Sequence, residues 1–360
     1  MLIYDLSLPA LTDLLRQWEQ PAYRAKQIWQ GLYQRLYASP SDFTALPKPL
    51  REKMAAEFSF LPFAVKTYQN SSDGHTRKTL FELPDGNLIE AVLMRYERED
   101  GDEYSPRKVR HTLCISTQAG CAMGCVFCAT GQMGFKRNLS SGEIIAQILY
   151  YAQILAQKNE TVSNVVFMGM GEPFHNYDNV MSAIDRLNDP AGFNFGARRF
   201  TISTVGLAPQ IRRFADEMRQ VNLAISLHAA DNEQRLAMMP VNKKYQIEEL
   251  LDACEYYTAK TRRRITFEWA LISGVNDTPE EAKKLAARLR GMLCHVNAIP
   301  LNPTKGFAGQ GADRERASRF QETLEAAGIP CTIRMRRGID IQAGCGQLAG
   351  ENLKPATLNL

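Results

Sequence analysis

From His111 onward the chain alternates short apolar runs with stretches of helical spacing, and that alternation leaves few folds open. Strands are predicted at 111–116, 164–168, 200–203, 223–227, 265–271, 296–300 and 332–335, with helical text in the gaps. Ser140 and Glu143 form a capping-box signature ahead of an apolar stripe through Ile145, Ile148, Leu149 and Ala152. Thr278-Pro279-Glu280-Glu281 starts another helix with Pro at its first position, and the run from Leu324 stops on Gly328. Strand–helix–strand units cross over right-handed, so about six of them predict an α/β chain whose parallel sheet curls into a partial barrel. Residues 1–75 read as a small helical domain, because 24–33 and 50–58 carry apolar residues at helical spacing. Residues 76–108 read as a β-hairpin (78–83 and 88–94, turning at Pro84-Asp85-Gly86-Asn87) followed by a charged linker from Tyr96 to Lys108. The barrel is expected over 109–350 and a tail over 351–360.

Parallel barrels carry chemistry at the C-terminal ends of their strands. The conspicuous residues fall there. Cys121, Cys125 and Cys128 follow the first strand in the run CAMGCVFC, and Gly169-Met170-Gly171-Glu172-Pro173 follows the second. Ser203 closes the third strand, Ser226-Leu227-His228 the fourth, and Asn302 lies past the sixth. Three thiolates at C-x3-C-x2-C spacing on one short loop can hold three irons of a four-iron four-sulfur cluster, leaving the fourth iron open. Gly120 and Gly124 let the backbone wrap such a cluster. The competing use is structural zinc, which more often takes paired C-x2-C units and closes all four positions with protein ligands.

With 360 residues, 45% hydrophobic and 23% charged, the chain has ample material for a core. No apolar run approaches the ~20 residues that span a bilayer and no secretory pattern opens the sequence, so a cytoplasmic protein is expected. Eight cysteines in that compartment argue for metal ligation or catalysis rather than disulfide scaffolding. A net charge of +4 is too mild to declare a nucleic-acid partner. Basic clusters at 107–110, 136–137, 262–264 and 334–337 are candidate phosphate contacts.

Four further stretches, Leu113-Cys114-Ile115-Ser116, Gly169-Met170-Gly171-Glu172-Pro173, Ser226-Leu227-His228-Ala229 and the run from Asp340 through Cys345 to Leu348, accompany the cysteine loop. Together they resemble the RlmN/Cfr family of radical S-adenosylmethionine (SAM) RNA methyltransferases, over nearly the whole chain. The resemblance implies a partial (β/α)6 barrel of radical SAM type with a small helical N-terminal domain. It implies one 4Fe-4S cluster on Cys121, Cys125 and Cys128, and two SAM molecules per turnover contacted by Gly171, Glu172, Ser203, Ser226, Leu227, His228 and Asn302. Cys345 would carry the methyl group and Cys114 would release the product by attacking its sulfur, leaving a Cys114–Cys345 disulfide. Glu90 would accept the proton from the modified carbon. The implied reaction is methylation of carbon 2 of an adenine in 23S rRNA, at the peptidyl-transferase centre, and of the adenine 3′ of a tRNA anticodon. Methylation of carbon 8, as in the Cfr branch, is the alternative. The implied partners are 23S rRNA, tRNA and an external electron donor, with no membrane. Cys254, Cys294 and Cys331 lie in strand or helix patterns and read as core.

Overall fold

A computed structural model of the chain describes residues 1–97, 109–334 and 336–350. Most of the expected linker, Met335 and the expected tail lie outside the described residues. The first fifty-odd residues form α1 (Leu8–Gln17), α2 (Tyr23–Tyr33) and α3 (Lys48–Glu57). Ser7 caps α1 by accepting from Ala10 N, and the buried stripe of α2 is Ala25, Ile28, Trp29, Leu32 and Tyr33. The helices end at Glu57, short of the expected boundary at 75, because 64–70 is extended. That stretch is β1 (Ala64–Asn70), followed by β2 (Thr76–Glu82) and β3 (Leu88–Tyr96). The expected hairpin is thus the inner part of a three-stranded antiparallel unit. Its β2–β3 turn closes on Gly86, with Leu83 N donating to Asn87 O at 2.9 Å.

β4 (Arg110–Cys114) pairs antiparallel with β3, which welds this unit to the barrel. After it come β5 (Gln118–Gly120), α4 (Ala129–Gln132) and β6 (Phe135–Asn138), with β5 and β6 forming a small separate hairpin around the cysteine loop. Six crossovers then follow. α5 (Ser141–Ala156) leads to β7 (Val162–Phe167), α6 (Tyr177–Asn188) to β8 (Phe200–Thr204), and α7 (Ala208–Asp216) to β9 (Asn222–Ser226). α8 (Asn232–Met238) and α9 (Ile247–Thr261) lead to β10 (Ile265–Leu271), α10 (Pro279–Leu289) to β11 (Cys294–Pro300), and α11 (Arg314–Ala326) to β12 (Cys331–Ile333).

The ten-stranded sheet runs β1-β2-β3-β4-β7-β8-β9-β10-β11-β12, parallel from β4 onward. β1 and β12 are not paired with each other, so the barrel stays open. One face of its parallel strands is apolar (Ile202, Leu223, Ile225, Phe267, Trp269, Val296), while the alternate positions carry polar residues such as Ser203, Ser226 and Glu268 that line the cavity. The capping box is in place: Ser140 Oγ accepts from Glu143 N, and Glu143 Oε2 accepts from Ser140 N at 2.9 Å. The helical N-terminal region is docked at that same helix end. Asp5 Oδ1 accepts from Gly142 N at 2.7 Å, and Arg186 on α6 donates to Ser141 Oγ at 2.6 Å and to Tyr4 O. A carboxylate there meets the positive end of the α5 dipole. Among the described residues no helix is long and apolar enough to cross a membrane.

Candidate active site

The C-terminal ends of the parallel strands open into one cavity of about 1010 Å³, counting its mouth. Cys121, Cys125 and Cys128 line it together with Gly171, Glu172, Ser203, Ser226, His228, Asn302 and Cys345. All but one of the residues that the sequence pointed to for cluster and cofactor binding therefore converge here. The exception is Leu227, whose side chain is buried in the core.

The cysteine loop is closed by β5 and β6. Cys121 N donates to Gly134 O at 3.0 Å, and Gly120 has φ of +72°, with an added Cβ falling 1.9 Å from Gly134 O. No other residue fits at that crossing. Burial pushes the Cys121 thiol up to about 12 and lifts Cys125 well above its ordinary value, with the neighbouring thiols adding to both. Burial raises an enclosed thiol in this way wherever it lies, as it does the core thiol of Cys331. Among the described residues no three His, Cys, Asp or Glu side chains gather round one point as a single ion requires. Three irons at separate corners of a cube each need only one thiolate. Arg235 is fully buried and contributes positive charge near Cys125. It donates to the carbonyls of Val205, Leu227 and Tyr245 and to Asn242 Oδ1, with no carboxylate among these partners. A buried guanidinium without a counter-anion suits a site that fills with anionic sulfur.

The wall next to the cysteine loop is rich in acceptors. Glu172 Oε1 accepts from Phe174 N at 2.9 Å and Oε2 from Val205 N at 2.8 Å, while burial holds its pKa up at about 7. Gln118 fixes the same residue by accepting from Glu172 N at 2.8 Å. Asn302 Oδ1 is buried without a partner, and its Nδ2 donates to Cys345 O at 3.1 Å. Ser203 and Ser226 place hydroxyls 3.4 Å apart. A buried, unpaired acceptor beside a carboxylate and two hydroxyls fits a ligand bearing an ammonium group and a ribose. His228 is at φ of +61°, its Nδ1 accepts from Ala270 N at 2.9 Å, and burial lowers its pKa to about 3. It is therefore a neutral ring with its proton on Nε2. It is both a satisfied histidine and part of the wall.

Cys114 and Cys345 are distant in sequence but line one smaller adjoining cavity with Arg334. Both are free thiols. Cys114 is pushed up to about 12, first by burial and then by the nearness of Cys345. Cys345 is accessible from the cavity, yet the protein around it raises its pKa, with Arg334 pulling the other way. The loop carrying Cys345 is tied to the cysteine loop by Ala129 N to Gly346 O at 2.8 Å and Thr130 Oγ1 to Leu348 O at 2.6 Å.

Glu90 is not brought to either cavity. It is buried, its Oε1 lies 3.0 Å from Lys78 Nζ, and its Oε2 accepts from Ala349 N and Gly350 N at 2.8 and 3.2 Å. Cys254, Cys294 and Cys331 are buried in the core, as expected. The sequence reading missed Glu268, which lines the main cavity from β10, accepts from Asn297 Nδ2 at 2.6 Å and is held up at about 7 by burial. A glutamate in the middle of an apolar strand was the available signal. Arg334 was read as one member of a basic run, and Arg235 sits on a helix whose text looks solvated.

Comparison with known proteins matches residues 115–286 to the Radical SAM superfamily. Residues 2–59 match the ribosomal RNA large subunit methyltransferase N-terminal domain. The chain is 49% identical to the probable dual-specificity RNA methyltransferase RlmN of Chloroflexus aurantiacus, over 98% of this chain and 94% of that one. It is 50% identical to dual-specificity RNA methyltransferase RlmN 1 of Myxococcus xanthus, over 96% and 93% respectively. A crystal structure of a radical SAM methyltransferase from Sphaerobacter thermophilus superposes with a TM-score of 0.93 at 46% identity, covering 98% of this chain and all of that one.

Proposed function

Because the chain belongs to the RlmN family of radical SAM RNA methyltransferases, we propose that it methylates carbon 2 of an adenine in 23S rRNA and of the adenine 3′ of a tRNA anticodon, acting in the cytoplasm with an external electron donor. The observation that carries this reading is the pairing of two thiols, Cys114 and Cys345, at the edge of a cavity lined by a three-cysteine loop. A cofactor-cleaving radical enzyme needs the loop alone. The thiol pair answers a different need, since an electrophilic ring carbon cannot attack a sulfonium and its methyl group must be carried to it.

Cys121, Cys125 and Cys128 would hold the cluster, and Glu172, Asn302, Ser203, Ser226 and His228 would receive SAM. Together these groups supply, when bound, a methyl group and a hydrogen-abstracting carbon radical. Cys345 must lose its proton to accept the methyl group, and the Arg334 guanidinium favours that thiolate. Cys114 is close enough to sense the charge on Cys345. A thiolate at Cys114 can attack the Cys345 sulfur, forming the S–S bond as the Cys345 sulfur–methylene bond breaks; the methylene carbon on the base keeps that electron pair and takes up a proton to become the methyl group. Apolar side chains of Met123, Phe127, Met239 and Leu301 line the main cavity and keep water from a reactive intermediate. The adenine has to leave its stack to reach this pocket, so RNA shape rather than linear sequence governs recognition.

The test is an anaerobic assay of cluster-loaded protein with rRNA and tRNA, followed by mass spectrometry of the nucleosides. The expected product is 2-methyladenosine from both RNAs; 8-methyladenosine, or no methylated adenosine despite SAM cleavage, overturns the assignment. Cys114→Ala should stall the same reaction with RNA covalently attached to Cys345. Normal turnover without that adduct would remove Cys114 from the chemistry.

A further inference from the structure

The segment from Gly338 to Gly350 carries Cys345 but contains no helix or strand. Its geometry is set by what grips it. On the cavity side the grips are Asn302 on the Cys345 carbonyl, Gln347 Nε2 on Pro303 O and the two bonds to α4. From the antiparallel unit come Ser72 N, which donates to Asp340 Oδ2 at 2.8 Å, and a fully buried Lys–Glu pair that flanks Cys345 more closely. Lys78 faces Val92 in the β2–β3 register and Glu90 faces Leu80, so the two charges are diagonal neighbours on the same face. Lys78 Nζ and Glu90 Oε1 are 3.0 Å apart, with side chains only 2% and 1% exposed.

Neither charge is satisfied by the other alone. Lys78 Nζ also donates to Gln342 O at 3.1 Å, three residues before Cys345. Glu90 Oε2 accepts from Ala349 N and Gly350 N, just past it. The pair therefore holds both ends of the short stretch that presents the thiol. Two buried charges are no better for stability than two well-packed apolar side chains, and often worse. What an ion pair adds is direction, because an ammonium and a carboxylate can fix backbone groups that apolar side chains cannot.

We propose that Lys78 and Glu90 are positioning residues that hold the 342–350 stretch, and with it the Cys345 thiol, in register with the main cavity. This rests on the reading of Cys345 as methyl carrier, and it gives the antiparallel extension of the barrel a part in the reaction. It also assigns Glu90 to holding rather than to proton transfer.

The experiment compares full-length, cluster-loaded wild type with Lys78→Met, Glu90→Gln and the double variant, in which no unpaired charge remains. Two quantities are read: hydrogen exchange of residues 338–350 against the rest of the barrel, and transfer of a labelled methyl group from SAM to Cys345, with SAM affinity measured separately. Lys78→Met leaves a buried carboxylate unpaired. It should speed exchange in 338–350 alone and slow methyl transfer by roughly tenfold or more, with SAM affinity unchanged. The double variant should recover most of both, since the neutral glutamine can still accept from Ala349 and Gly350.

Unchanged exchange in the segment, exchange raised across the whole barrel, or loss of SAM affinity in step with transfer would overturn the proposal. So would a double variant no better than Glu90→Gln in exchange and methyl transfer, because the unpaired Lys78 charge would then not be the cause. If Lys78→Met does not fold, the double variant against Glu90→Gln decides the question. If wild type places no methyl on Cys345, the methyl-carrier reading fails, and the exchange measurement alone then decides the clamp.

Discussion

Gly171 offers the sharpest test of how the cofactor wall is built. Its φ is +102°, and a Cβ added there would lie 2.5 Å from Gln118 Cβ and 2.8 Å from Gln118 N. Gln118 cannot simply step aside. Its side chain is buried, donating to Asn138 Oδ1 at 2.8 Å, contacting His175 Nδ1 at 2.9 Å and accepting from Glu172 N at 2.8 Å. An L-residue at this φ costs about 1–3 kcal/mol. Overpacking adds a similar amount, and each buried polar contact that breaks adds about 1 kcal/mol. Gly171→Ala should therefore destabilise the chain by about 4–6 kcal/mol. Gly86 is the control: its φ is +79° and nothing lies within 4 Å of an added Cβ. Gly86→Ala should cost about 1 kcal/mol, from the backbone alone. Guanidinium unfolding of the cluster-free chain reads both values from the midpoint and slope. If the two alanine variants fall within about 1 kcal/mol of each other, the contact with Gln118 does not brace the wall.

Replacing any one of Cys121, Cys125 or Cys128 with Ala should cut iron retained after reconstitution and abolish reductive SAM cleavage; a variant that keeps both is not missing a ligand. The raised pKa of Glu172, about 7 against an ordinary 4.5, has a definite sign. The folded chain binds that proton more tightly than the unfolded chain, so stability is full below pH 4.5 and declines as the pH rises through 7. Glu268 adds a second contribution of the same sign and the lowered His228 one of the opposite sign, so Glu172→Gln should lose clearly less stability than wild type between pH 5 and pH 8; equal losses refute the assignment. Arg235→Met removes a positive charge near Cys125 and should shift the cluster's reduction potential negative by roughly 60 mV or more, while Arg235→Lys keeps most of the wild-type value. An unchanged potential in the methionine variant, followed by electron paramagnetic resonance, would exclude that influence.

The parallel core was legible because strand alternation, a capping box and a proline start are local signals, and each strand's end could be located from them. The gathering of Glu172, Ser203, Ser226 and Asn302 followed from that, since parallel topology puts all strand ends on one side. The antiparallel unit was half legible. The text of β1, Ala-Val-Lys-Thr-Tyr-Gln-Asn, has one apolar aliphatic residue after its first position and so gives no period-two signal to separate it from the helical domain. Its partner strand, not its own composition, makes it a strand. The places of Lys78, Glu90 and Arg235 could not be read from sequence, because a charge looks solvated until the fold shows what covers it. Leu227 fits the family's segment yet points into the core, as alternation along the end of β9 requires.

Cys345 is a wall shared by two rooms. Met168, Ile299 and Asn302 complete the partition, and each borders both the large cavity and the smaller one holding Cys114. A sulfur in a partition can be loaded from one side and unloaded from the other. On the proposed reading, Cys345 takes its methyl group from the large cavity and is attacked by Cys114 from the smaller one, so the two thiol steps approach one sulfur from different sides.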